Sequence, residues 1–281
     1  MVYADLHTHT HYSDGGTNAK DNVRWAKHLG MHAIAITDHD TMAGVNDALV
    51  AGKRFGITVI PGVEITTTDY HILGYGIDFK NESLQNTLAE ARAGQIDEVA
   101  GKIDVLNALG IPVTMAEVLT RFPHPQQRLG SINLAQVLVE NPAYANVVTS
   151  GIMQTYGDII KKQTEYVDKT RVTPEKAVKA IHEAGGIAIF AHPPRDGTGL
   201  EDLDRMLAAG IDGYEIQPHY VGGPGRKNPN FTYAIVEDFA KENGAFLTAG
   251  SDYHGPIWDR PLLRKGQYEI DKRVLEIILK N

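Results

Sequence analysis

Short apolar runs that end in polar residues recur along this chain, and between most of them the apolar positions fall at helical spacing. Residues 2–6 read as a short buried strand. Over residues 18–29, Val23, Ala26 and Leu29 share one helical face, and Gly30 stops the helix. The run Ala33-Ile34-Ala35-Ile36 continues into Thr37-Asp38-His39-Asp40, the pattern of a parallel strand buried on both faces with its chemistry at the carboxyl end. A helix is expected over 43–55, a third strand over 57–65 and a fourth over 70–75. The link between these last two is too short for a crossover. It predicts an antiparallel pair in which the start of the fourth strand lies beside the end of the third.

From about residue 83 to 168 this rhythm stops. Helical spacing appears over 84–109, 115–121, 132–140 and 152–160, broken by Pro123-His124-Pro125 and Asn141-Pro142. The reading is a mostly helical insertion, 83–168, capping the mouth of a barrel built from 1–82 and 169–281. A helix resumes over 174–184, with Thr173 as N-cap, Pro174 at its first position and Gly185-Gly186 at its end. Strands follow over 187–193, 213–217 and 245–254, with helices over 200–209 and 231–243 between them. Seven strands that mostly alternate with helices and end in His, Asp or Glu favour a barrel, where strand ends converge on one mouth. An open doubly wound sheet would carry a Gly-rich phosphate loop after its first strand, and none is present.

With 281 residues, 42% of them hydrophobic, the chain can bury a large core. Its 35 acidic against 27 basic residues give a formal charge of −8, which argues against broad attraction to nucleic acid or anionic lipid. A phosphorylated substrate therefore needs local cations. The absence of cysteine excludes disulfides and thiolate metal sites. The first strand leaves no room for a signal peptide and no apolar run approaches the roughly 20 residues of a membrane span, so a cytoplasmic protein with no membrane partner is expected.

Candidate chemistry gathers at the strand ends. Alternation sends the imidazoles of His7 and His9 to the same side of the first strand, where they can share one metal ion, and Asp14 returns a carboxylate from the Ser13-Asp14-Gly15-Gly16 turn. His39, Glu64, His71, His192, Asp252 and His254 stand at other predicted strand termini on that face. Each alone reads as a polar cap; jointly they are nine nitrogen and oxygen donors without sulfur. That set suits Zn²⁺, Mn²⁺ or Fe²⁺ and exceeds what one ion needs, so two or three divalent ions sharing a carboxylate are expected. Ions about 3.5–4 Å apart hold a bridging hydroxide and clamp a phosphoryl oxygen. His28, His32, His124, His182 and His219 lie mostly on helices or loops and are left out, as are His11 and Asp40 as redundant neighbours.

His7-x-His9 with Ser13-Asp14-Gly15, Thr37-Asp38-His39-Asp40, Pro61-Gly62-Val63-Glu64-Ile65, His71-Ile72-Leu73-Gly74, Ala191-His192-Pro193 and Gly250-Ser251-Asp252-Tyr253-His254 together resemble the polymerase and histidinol phosphatase (PHP) family. The motifs span nearly the whole chain apart from the insertion. Asp14 and the helical insertion point to its branch of nucleoside-phosphate phosphatases and small 5′-to-3′ exonucleases. The resemblance implies an α/β fold, a distorted (β/α)₇ barrel, with a trinuclear centre: His7, His9, Glu64 and Asp252 on one ion, Glu64 bridging to a second held by His71 and His192, and Asp14, His39 and His254 on the third. It also implies a phosphate contact from Arg195. The nucleotide branch carries a Thr-Arg-x-His-like run whose arginine meets phosphate; here the stretch is Gly130-Ser131-Ile132-Asn133-Leu134-Ala135, and Arg128 is the nearest substitute.

The expected activity is hydrolysis of a small phosphate ester, a nucleoside mono- or bisphosphate, a phosphosugar or a cyclic sugar phosphate, by in-line attack of a metal-bridging hydroxide. Asp252 is the candidate proton acceptor and His254 the candidate donor to the leaving alkoxide. Arg128, Tyr144, Tyr156 and Tyr166 are candidates to contact the leaving group. The alternative is a 5′-to-3′ exonuclease, with nucleic acid entering only as a short oligonucleotide. More remote are an amidohydrolase, which would place a bridging lysine where Glu64 stands, and a non-catalytic metal-binding module, which would tend to lose ligands.

Overall fold

In the computed structural model, which describes residues 2–148, 151–161, 172–196, 198–218, 230–256, 261–270 and 272–279, the apolar runs form one seven-stranded sheet. Its strands are β1 (Ala4–Asp5), β2 (Ala33–Ile36), β3 (Thr58–Thr66), β4 (His71–Tyr75), β5 (Ile187–Phe190), β6 (Gly213–Ile216) and β7 (Phe246–Ala249), paired in sequence order. Strands β1 to β3 run parallel, β4 is antiparallel to both neighbours, and β5 to β7 are parallel again. The last strand returns to the first. Leu6 N–H donates to the Ala249 carbonyl at 3.0 Å and His9 N–H to the Tyr253 carbonyl at 2.8 Å, so the sheet is a nearly closed barrel with one reversed strand. All four residues of β2 and of β5 are buried, as strands covered on both faces require.

The helices follow the expected local signals. They are α1 (Ala19–His28), α2 (Val45–Phe55), α3 (Glu82–Ala108), α4 (Met115–Arg121), α5 (Ser131–Glu140), α6 (Ile152–Thr155), α7 (Pro174–Glu183), α8 (Pro193–Asp196), α9 (Leu200–Ala208), α10 (Tyr233–Glu242) and α11 (Lys272–Ile278). Asn18 caps α1 by accepting from Asp21 N–H, and Thr173 caps α7 by accepting from Lys176 N–H. Gly56, at φ 65°, ends α2 in the left-handed region that a side chain disfavours. The β3–β4 link is a tight turn in which Thr67 N–H and its hydroxyl both donate to the Tyr70 carbonyl, and the register pairs Thr66 with His71.

Helix α3, about 40 Å long at the usual rise, belongs to two cores. Its Leu84, Leu88 and Ala91 pack with Val63, Ile72, Ile181 and Phe190 on the barrel, whereas Val99, Ile103 and Leu106 pack with Val118, Leu134 and Leu138 among the helices of the 83–168 segment. That helical layer is tied to the loop after β1: the Gln127 side-chain amide donates to the His11 carbonyl at 2.9 Å, and Asn133 donates to that of Ser13 at 3.2 Å.

Some elements differ from the sequence reading. The strands expected over 187–193 and 245–254 stop at Phe190 and Ala249, and Pro193–Asp196 form α8. The helix expected over 152–160 is α6 followed by a π-helical turn, Tyr156–Lys161, and Ile160 is buried in the helical layer's core with Tyr156 and Ile159 against it. Helix α11 was not expected. Its Val274, Leu275 and Ile278 join Leu6, Ile60, Leu73 and Ile189 in the cluster inside the barrel. No helix among the described residues is long and apolar enough to cross a membrane.

Candidate active site

The carboxyl ends of the parallel strands, with the start of reversed β4, bring all nine expected donor residues together. Glu64, fully buried near the end of β3, is the hub: its Oε2 lies 3.1 Å from His7 Nε2, 3.3 Å from His9 Nε2 and 3.2 Å from His39 Nδ1, and its Oε1 lies 3.0 Å from His71 Nδ1 and 2.9 Å from His192 Nε2. Asp252 Oδ1 stands 3.0 Å from His9 Nε2 and 3.4 Å from His7 Nε2. Asp14 Oδ1 is 3.2 Å from His254 Nε2, and its Oδ2 is 3.9 Å from His39 Nε2. Among the described residues three groups have ligand atoms close enough to hold an ion: His7, His9, Glu64 and Asp252; His9, Asp14, His39 and His254; and His39, Glu64 and His71. The register of β3 against β4 explains the last, since it sets His71 beside the end of Glu64's strand.

The donor set fits divalent cations better than it fits itself. Both ring nitrogens of His9, Nδ1 of His39 and Oδ1 of Asp14 are buried with no hydrogen-bond partner, although carboxylates or imidazoles surround them. Buried polar atoms left this way are costly unless a shared ion satisfies them. The tautomers agree. His254 Nδ1 lies 2.8 Å from the Asp252 carbonyl, which can only accept, so Nδ1 carries the proton and Nε2, facing Asp14, carries the lone pair. Burial alone would raise the Glu64 carboxyl, but the imidazoles of His39, His7, His71 and His192 hold it well below its usual range. Burial would likewise lower His9, yet Asp252 and Glu64 push it up to about 9.

The backbone is strained at this mouth. Among the described residues the non-glycine positions with positive φ are Asp40 at 53°, His192 at 33° and Asp252 at 54°, all at strand ends that aim side chains into the site.

Three acidic residues that support the donors, Glu215, Asp5 and Asp38, escape the sequence reading, and a fourth, Asp40, is set aside there as redundant. Glu215 Oε1 lies 2.7 Å from His7 Nδ1 and its Oε2 accepts the His192 N–H at 2.9 Å. Asp5 accepts from Ser251 N–H and hydroxyl and from Leu263 N–H, and burial raises its carboxyl in spite of these donors. Asp38 accepts from Thr10 N–H, the Thr10 hydroxyl and the Ser13 hydroxyl, fixing the turn that presents Asp14. Asp40 is pushed up to about 6, chiefly by burial and against the pull of Arg128. The signal for Glu215 is a carboxylate inside an otherwise buried strand; for Asp5 it is the alternation Asp5, His7, His9.

Of the expected substrate contacts, Arg195 pairs through Nη1 with Asp252 and places Nη2 2.6 Å from His192 Nε2. Arg128 is 11% exposed, with Nη1 3.7 Å from Asp14 and Nε 4.0 Å from Asp40. Tyr144 is a correction: it is buried, its hydroxyl donates to Glu117 at 2.8 Å, and it packs in the helical layer away from the mouth. Tyr156 packs on the same layer, and Tyr166 and His219 lie outside the described residues.

A family model for the PHP domain matches residues 5–175, more than half of the chain. The chain belongs to the PHP domain family. Among curated relatives of this PHP-domain chain, a 3′,5′-nucleoside bisphosphate phosphatase of Chromobacterium violaceum is 28% identical over 264 residues, covering 91% of this chain and 88% of the relative. A 5′-3′ exoribonuclease Rnm of Salmonella typhimurium is 30% identical over 268 residues, covering 91% and 86%. Among solved structures, a putative metal-dependent phosphoesterase from Bifidobacterium adolescentis superposes with a TM-score of 0.84 at 27% identity, over 99% of this chain and 96% of that one.

Proposed function

We propose that this PHP-domain chain, a metal-dependent phosphoesterase, hydrolyses the phosphate ester of a small organophosphate such as a nucleoside mono- or bisphosphate, a phosphosugar or a cyclic sugar phosphate. The observation that carries the reading is the set of three overlapping histidine–carboxylate groups converging on Glu64 and Asp14 in the barrel mouth. His7, His9, Glu64 and Asp252 would hold one divalent ion, Glu64, His71 and His192 a second, and Asp14, His39 and His254 a third. Nitrogen and oxygen donors alone suit Mn²⁺, Zn²⁺ or Fe²⁺. When bound, such ions supply an acidified water and positive charge for the phosphoryl oxygens.

The chain's own residues do the rest. Arg195, resting on Asp252 and His192, and Arg128, beside Asp14 and Asp40, supply guanidinium forks that suit phosphate oxygens. Asp252 accepts the proton released by the attacking water. His254 has Nδ1 committed to a carbonyl, so its Nε2 either serves a cation or gives a proton to the leaving oxygen, one role at a time. Residues 83–168, docked on the loop after β1 through Gln127 and Asn133, act as a cap that selects the leaving group over the barrel of 1–82 and 169–281.

A second reading, 5′-to-3′ trimming of short RNA, is favoured by the Salmonella relative. The net charge of −8 limits it to oligonucleotides held by few contacts. Turnover of a nucleoside monophosphate, a phosphosugar, a ribose cyclic phosphate and a dinucleotide by metal-replete protein, with elemental analysis, tests both. Hydrolysis of a monoester supports the first reading and preference for the dinucleotide the second. Inertness towards all four in metal-replete protein would overturn both.

A further inference from the structure

Gln217, the residue that follows β6, is fully buried, and neither its Oε1 nor its Nε2 has a hydrogen-bond partner. We infer that this amide is a substrate contact at the barrel mouth, with Nε2 donating to a non-reacting oxygen of the phosphoryl group; the inference rests on the phosphoesterase reading above.

The alternation of β6 aims the side chain. Tyr214 and Ile216 pack in the layer between barrel and helices with Leu203 and Val236, and the Tyr214 hydroxyl donates to the Leu203 carbonyl at 2.9 Å. Glu215, between them, turns inward to His7 Nδ1 at 2.7 Å. Gln217 follows Glu215 by one alternation, so it shares the inward face about 7 Å nearer the mouth. Its neighbours in the sheet belong to the site. Ile216 pairs with Ala249 on β7, and the Gly250 N–H donates to the Ile216 carbonyl at 3.2 Å, which sets Gln217 beside the backbone leading to Asp252. On the other side, Glu215 accepts the His192 N–H just after β5. Arg195 spans the same two ends: its Nη1 pairs with Asp252, and its Nη2 lies 2.6 Å from His192 Nε2. The end of β6 is therefore flanked by two donor residues, with a phosphate-binding arginine bridging them.

An unpaired amide in that place is costly. Its donor and acceptor have given up water and gained nothing in return, whereas an apolar side chain of the same length would fill the space without that loss. The chemistry of the mouth explains why an amide stands there. A phosphoryl group brings negative charge among the carboxylates of Glu64, Asp14 and Asp252, and a further carboxylate would repel it. A further ammonium would compete with the divalent ions for those same carboxylates. A side-chain amide does neither, and its Nε2 offers the phosphoryl oxygen a neutral donor.

The test is Gln217→Met, which keeps the length of the side chain and removes donor and acceptor, with Gln217→Glu as a companion that keeps the shape and replaces the donor by an anion. In metal-replete protein, KM for p-nitrophenyl phosphate and the inhibition constant of inorganic phosphate should each rise about tenfold in Gln217→Met, the size of one hydrogen bond to a charged group. Both should rise further in Gln217→Glu. The value of kcat should change less than KM, and metal content by elemental analysis should match wild type. Metal-free Gln217→Met should melt at or above the wild-type temperature, because an unpaired amide has given way to an apolar chain. A lower melting temperature with unchanged KM would make Gln217 a structural amide. That result, or phosphate inhibition equal to wild type, overturns the contact and leaves the phosphoesterase standing. If wild type hydrolyses no phosphate ester, the phosphoesterase reading fails, and calorimetry with inorganic phosphate decides the contact by itself: binding about tenfold weaker in Gln217→Met supports it, and equal binding or none refutes it.

Discussion

Glu215 Oε1 lies 2.7 Å from His7 Nδ1, with both side chains fully buried. The contact fixes which imidazole nitrogen carries the proton and leaves Nε2 to face Glu64 and Asp252. The other Glu215 oxygen holds the backbone of His192, so one carboxylate orients donors from two strands. Glu215→Gln keeps the shape but weakens the orientation. Metal affinity and kcat/KM should each fall about 10- to 100-fold, read by competition with a chromogenic chelator and by steady-state kinetics. Unchanged affinity would show that Glu215 is only a core acid.

Gly250, just after β7, lies against the same pair. A Cβ there would sit 2.6 Å from Glu215 Oε1 and 2.8 Å from His7 N. Neither neighbour can retreat, because His7 is locked among carboxylates and Glu215 among backbone and imidazole donors. Gly250→Ala should therefore cost about 1–3 kcal/mol of stability, as overpacking does, and lower the metal content of purified protein. A melting temperature and metal stoichiometry equal to wild type would contradict this.

Much of this arrangement is legible in the sequence because strand alternation and strand ends are local signals. His7 with His9, the apolar run into His39, and the short link that makes β4 antiparallel each follow from spacing alone, and the structure brings all nine donors to one mouth. What escapes is whatever depends on partners distant in the chain. Glu215 meets His7 across 208 positions, and Asp5 meets Leu263 across 258. Nothing next to Glu215 or Asp5 announces these pairings. Helix α11 is missed although Val274, Leu275 and Ile278 fall at helical spacing; what only the fold shows is that this face packs with Leu6, Ile60, Leu73 and Ile189 of the barrel.

Arg128 joins the helical layer to the site, since its Nη2 donates to Gln95 on α3 at 3.2 Å while Nη1 points to Asp14. As a phosphate contact rather than a structural arginine, it should be sensitive to charge geometry. Arg128→Lys keeps the charge but loses the fork. KM should rise about tenfold in Arg128→Lys and further in Arg128→Met, with bound metal unchanged by elemental analysis. A drop in metal content with KM constant would instead assign Arg128 to holding Asp14.

Metal removal ties stability to pH with a definite sign. In metal-free protein, burial would lower His9, but Asp252 and Glu64 push it up to about 9, above its ordinary 6.5. A histidine raised on folding contributes stability that is fully present below the unfolded value and is lost as pH climbs through the folded one. The metal-free fold should therefore weaken between about pH 6.5 and 9. Metal binding has the opposite slope, because an imidazole must shed its proton to become a ligand. At a thousandfold excess over Kd, a bound ion adds about 4 kcal/mol, or a melting shift of the order of 10 °C for a chain of this size. The gap in melting temperature between metal-loaded and chelated protein should widen as pH rises across that window. A gap that narrows there would mean that His9 is not among the groups whose proton the ion displaces.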